Sequence, residues 1–184
     1  MGVTPATSVS EFFREVLCEA LDNEGVTTSE HTEFYLVGLL GDYAHTKITD
    51  TPLSLKLAET RASDRVQALK EVGDTSLYVT GFFADSLGRS LVAPDYYISL
   101  GESAYRELSH RLSSSTVAEV YEELAEKFPR FVEVLASVRS QVAFAGSDIA
   151  TLYTEWQRTR AEWIEKRLRA LGVIVISDDN KYVQ

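Results

Sequence analysis

Three histidines, one cysteine and 28 acidic residues supply most of the reactive side chains in this 184-residue sequence. Two histidines follow a carboxylate by three places, in Asp42-Tyr43-Ala44-His45 and in Glu107-Leu108-Ser109-His110. On a helix that spacing sets both groups on one face. Two such pairs, with one carboxylate from each of two further helices, make up the inward ligand set of di-iron bundles. Glu15 or Glu19 and Asp85 are the candidates to complete it, and the set would hold iron or manganese. The case against it is concrete. Asp reaches less far than Glu in the first pair, and 28 acids in 184 residues generate such pairs by chance. Both histidines also sit near expected helix ends, where a cation interacts well with the helix dipole.

A second arrangement shares one of these residues. His31, Tyr35, Gly38, Asp42 and His45 fall on one stripe of a single helix. Such a stripe reads as a polar seam against a neighbour or solvent, with a pH-sensitive or ligand-facing seam as the alternative. Cys18, set among Val16, Leu17, Ala20 and Leu21, reads as a small buried hydrophobe rather than a reactive thiol. No phosphate-cradling glycine loop, nucleophile elbow, C-x-x-C or H-E-x-x-H appears. The nine tyrosines read mainly as core residues whose hydroxyls reach water.

Composition bounds the class of molecule. Hydrophobic residues are 45% and charged residues 25%, enough apolar surface for a folded core without a metal or disulfide. A mean hydropathy of -0.10, with no apolar run near the length of a bilayer span, excludes a membrane helix. The net charge of -10 speaks against nucleic acid or anionic lipid as partner, since both need a basic face. A lone cysteine forms no internal disulfide, and the start MGVTPATSVSEFF has no apolar secretory core, so the expected location is cytoplasmic.

The elements that must position these residues are helical throughout. Val9, Phe12, Phe13, Val16, Leu17 and Leu21 recur at helical spacing after a capping box at Ser8 and Glu11, with Gly25 as the stop. A second box, Thr27 with Glu30, opens EHTEFYLVGLLGDYAH, apolar on most sides and expected at the centre of the bundle. Gly38 and Gly41 within it predict close approach of a neighbouring helix. A third helix follows Pro52 and stops at Gly73, with Asp74 capping a short fourth helix through Leu87. Pro94 opens a fifth, Thr116 and Glu119 box a sixth, and Pro129 kinks or splits it. Gly146-Ser147-Asp148 caps one last long helix ending before Gly172. The expectation is an all-α single domain over 1–184, a bundle of seven or eight helices over 8–172 with an extended tail at 173–184.

Charge and tail suggest a contact surface. The first 50 residues hold 9 acidic and 2 basic side chains, whereas the last helix is locally basic through Arg158, Arg160, Lys166, Arg167 and Arg169. The β-branched run Val173-Ile174-Val175-Ile176 has no obvious strand to pair with. It reads as a staple across its own bundle, or else as an edge for another chain. These four residues, with Arg160 and Arg167, are the expected partner-binding set.

TEFYLVGLLGDYA (32–44) and EVGDTSLYVTGFFADSLGRSLVAPDYYISLGESAYREL (71–108) resemble an uncharacterised bacterial family of small all-helical proteins. The resemblance implies a bacterial cytoplasmic protein and transfers no functional residue. The functional expectation is a non-enzymatic helical interaction or regulatory protein that self-associates and has no cofactor. The alternative is a metal-dependent, di-iron-like enzyme or small-ligand-binding protein, with Asp42, His45, Glu107 and His110 as the metal set.

Overall fold

The computed structural model describes residues 5–43, 53–82, 93–113, 115–145 and 149–161, together with 164, 165, 168, 169 and 173. Its elements are α1 (Pro5–Glu24), α2 (Glu30–Tyr43), α3 (Leu53–Glu59), a 3-10 turn (Ala62–Asp64) and α4 (Arg65–Phe82). They continue with α5 (Pro94–Arg111), α6 (Thr116–Glu126), α7 (Phe128–Ala145) and α8 (Ile149–Thr159). The architecture is all-α, with no strand among the described residues. Nor is any described helix long and apolar enough to cross a membrane. The chain divides into two compact units, 1–139 and 140–184.

In the first unit α4 packs most extensively on α5, α5 on α6, and α1 on α2. The central helix is α4 rather than α2. Every residue from Val72 to Gly81 is buried, whereas α2 buries Thr32, Leu36, Leu39 and Leu40 and exposes Phe34. Nor do Gly73 and Asp74 separate two helices; both lie inside α4. A methyl group at Gly73 would stand 2.5 Å from the Tyr105 ring, so the missing side chain is the space that the ring fills. Burial of Tyr105, Phe128, Leu77 and Leu135 offsets the helix-weakening effect of glycine there.

Local signals explain the helix ends. Gly25, at φ +63°, closes α1 while the Val26 amide donates to the Leu21 carbonyl at 2.9 Å, an arrangement that glycine adopts without strain. Ser29, not Thr27, caps α2: its hydroxyl oxygen accepts the Thr32 amide at 3.2 Å. Ser115 likewise replaces Thr116 as the cap of α6, accepting the Ala118 amide at 3.2 Å. Pro129 splits rather than kinks the chain: α6 ends at Glu126, and the proline lies in the first turn of α7, where no amide donor is needed.

In the second unit Leu152, Trp156, Ile164 and Leu168 form a buried cluster, with Tyr153, Ala161 and Val173 packed against it. The expected single last helix ends at Thr159, and Arg160 takes a φ of +54°. Its guanidinium lies 4.4 Å from the Trp156 ring centroid.

Candidate functional site

Asp74 is a carboxylate in the middle of a buried helix face, and three side chains from three helices converge on it. Its Oδ1 accepts the Tyr35 hydroxyl of α2 at 2.5 Å and the Tyr105 hydroxyl of α5 at 2.8 Å. Its Oδ2 accepts the Lys70 ammonium, one turn earlier on α4, at 2.5 Å. A buried charge is tolerable only when paired and hydrogen-bonded in this way. Gly73 and Asp74 work together, one making room for the Tyr105 ring and the other accepting its hydroxyl.

The surroundings fix the protonation of these partners. Burial, reinforced by the Asp74 charge, pushes the Tyr35 and Tyr105 phenols well above their ordinary range. Burial alone would lower the Lys70 ammonium, but the Asp74 carboxylate outweighs it and the net shift is upward. Tyr35 and Tyr105 therefore act as donors and Lys70 as a cation. Aromatic packing stiffens the node: Tyr121 meets Tyr35 edge-on at 5.5 Å and stacks on Tyr105 at 5.7 Å. Beside it the Tyr43 hydroxyl shares a 2.8 Å hydrogen bond with Thr75, and burial raises that phenol to about 12.

This node is the floor of a cavity of about 330 Å³ between α2, α4 and the start of α6. Its volume falls at the lower end of the range of small-molecule pockets. Leu39, Val117 and Val120 give it apolar walls, and Phe34 stands at its edge, 81% exposed. Gly38 also lines it, and a methyl group there would meet nothing within 4 Å. Gly38 thus opens space instead of admitting a neighbouring helix, as the sequence had suggested. Gly41 likewise faces no close neighbour.

A second carboxylate cluster sets the angle between two of the walls. Glu123 Oε2 on α6 accepts the Ser29 hydroxyl at 2.8 Å, the Thr32 hydroxyl at 2.7 Å and the Ser29 amide at 3.3 Å. Lys127 donates to Glu123 Oε1 and to the Thr27 carbonyl, each at 2.8 Å. Burial works against the Glu123 charge, yet the bonds from Lys127, Thr32 and Ser29 prevail and lower its pKa to about 2. The start of α2 is thereby fastened to α6.

The residues singled out from sequence are distributed as follows. His31, Tyr35, Gly38 and Asp42 do share a stripe, and all four line the cavity. Glu107 is not part of that lining. Its Oε1 accepts Arg65 at 3.2 Å and Arg111 at 2.8 Å, and Oε2 accepts Arg65 at 3.2 Å. The Arg65 bonds, opposed by partial burial and aided by Arg111, hold its carboxyl below the usual range. His110 lies exposed near the end of α5. His45, Asp85, Arg167 and residues 174–176 lie outside the described residues. Among the described residues, no group of three or more His, Cys, Asp or Glu side chains could hold a metal ion. Val173 packs on the cluster of its own unit, its amide donating to the Leu168 carbonyl at 2.9 Å. Cys18 is half-buried; burial and a hydrogen bond to Glu33 at 3.4 Å raise its thiol pKa, which weakens it as a nucleophile.

Sequence reasoning overlooked Asp74, Lys70 and Tyr105. The signal was an i,i+4 Lys–Asp pair spanning Gly73, which can mean a helix break or a buried ion pair. Only a partner elsewhere in the chain separates the two. Compared with protein-family models, curated proteins and solved structures, the chain matches none.

Proposed function

We propose that this is a non-enzymatic regulatory protein that works by binding a small, largely apolar ligand in the α2/α4/α6 cavity. The observation that carries this reading is the open space beside Gly38, apolar on its walls and closed below by the Asp74 node. An apolar cleft beside a fully engaged carboxylate supports binding over turnover. A general base must give up its proton near the working pH. Tyr35 and Lys70 instead keep their protons.

The test uses the space itself. Gly38→Leu extends a side chain from a lining helical position where a Cβ meets nothing within 4 Å, and with better helix propensity than glycine. Indole, followed by NMR, is expected to shift the Tyr35 and Val120 signals saturably in the natural protein and not in a folded Gly38→Leu variant. Equal shifts in both would remove the cavity from the function. A second reading, self-association through the same rim, is favoured by the exposure of Phe34 (81%) and Val117 (51%). A Phe34→Ser variant with unchanged sedimentation mass would end it.

A further inference from the structure

We infer that the cavity selects a small carboxylate with an apolar body, its acid group held by Lys70 and its body by Phe34, Leu39, Val117 and Val120. This rests on the proposed binding role of the cavity and specifies the ligand it takes. The volume sets the size: at the share of space that one water occupies, about 330 Å³ holds on the order of ten non-hydrogen atoms. The apolar walls set the body. The polar end is decided by which groups still have bonding capacity.

Asp74 has little to offer a ligand. Oδ1 already accepts two hydroxyls and Oδ2 the ammonium, so a cationic ligand would have to displace Lys70. Lys70 has capacity left. An ammonium carries three N–H donors. One is committed to Asp74, and the nitrogen stands 5.4 Å from the Tyr35 ring centroid, at the cavity floor. Among the described residues no other acceptor for it is found. His31, one turn before Tyr35 on the lining stripe, adds a second possible donor. Asp42 opposes an anion, since its charge reaches Lys70, but it lies exposed, where water and salt weaken its field. A carboxylate in the cavity would therefore meet an ammonium already oriented by Asp74.

Binding of phenylacetate, phenylacetamide and phenethylamine, measured by calorimetry on the full-length protein, tests this. The three share a ring and differ in charge. Phenylacetate should bind about ten- to a hundredfold more tightly than the amide, the usual range for a bond to a charged group. Lys70→Met should abolish the preference for phenylacetate over the amide. The comparison among ligands needs only the natural chain, so it stands even if Lys70→Met does not fold. Equal affinity for acid and amide overturns the carboxylate and leaves the cavity as a binding site. Tightest binding of the amine also overturns it, in favour of Asp42. If none of the three binds and indole does not either, the proposed function falls as well.

Discussion

Asp74 and Glu123 are two carboxylates with nearly the same job description and different surroundings. Each draws hydroxyls and a lysine four residues away in sequence: Tyr35, Tyr105 and Lys70 for one, Ser29, Thr32 and Lys127 for the other. The Asp74 side chain is 6% exposed and its phenol partners are buried or nearly so, whereas the Glu123 side chain keeps 16% of its surface in contact with water. The Asp74 node ties α2 and α5 to the central helix beneath the cavity. The Glu123 cluster fastens the start of α2 to α6. Solvent access, more than bond count, decides what losing either one costs.

The largest expected effect comes from Asp74→Ala. It leaves two phenol hydroxyls and a half-buried ammonium without their acceptor, a loss of about 3–5 kcal/mol in urea unfolding. A loss below about 1 kcal/mol would place Asp74 on a par with Glu123 and dissolve the contrast. Glu123→Gln should cost about 1–2 kcal/mol at neutral pH, because the amide still accepts hydroxyl bonds near water. Its pH signature is sharper. The folded pKa of about 2 lies below the ordinary 4.5, so the stabilisation is complete above 4.5 and lost as pH falls toward 2. Acid unfolding of Glu123→Gln should show a shallower decline across that window; an unaltered slope would remove the cluster from acid stability.

A third comparison separates the glycines on the two sides of the site, and Gly38 carries the smallest effect. Gly73→Ala pushes a methyl into the Tyr105 ring at 2.5 Å and should cost about 1–3 kcal/mol. Gly38→Ala adds a methyl to open space and should gain up to about 1 kcal/mol from helix propensity. Thermal melts of both show whether the signs differ. Two changes of the same sign would mean that the space around one of these glycines is not as described.

These pairs also mark how far sequence reasoning reaches. The end of α1 at Gly25 and the split at Pro129 were legible because one residue's own backbone preference decides each. The stripe His31-Tyr35-Gly38-Asp42 was legible as a stripe, since helical spacing places it on one face. That it faces a cavity was not, because nothing in α2 records that its opposite walls are Val117 and Val120 of α6. Gly73-Asp74 was misread for the same reason. Glycine followed by aspartate is the local signature of a helix end and a new cap, and here Tyr105, more than thirty residues later, supplies both the ring and the hydroxyl that make it helix interior.

The sequence by itself determined an all-α fold, acidic toward its start, with no bilayer-spanning helix among the described residues, because composition, periodicity and caps act over a few residues. Tertiary structure alone decided that α4 is the central helix, that Asp74 is buried and paired, and that the space beside Gly38 stays open. Each of those depends on which distant side chain arrives at a given place. Burial and pairing are properties of neighbours in space, and the free energy of a buried carboxylate is set almost entirely by them.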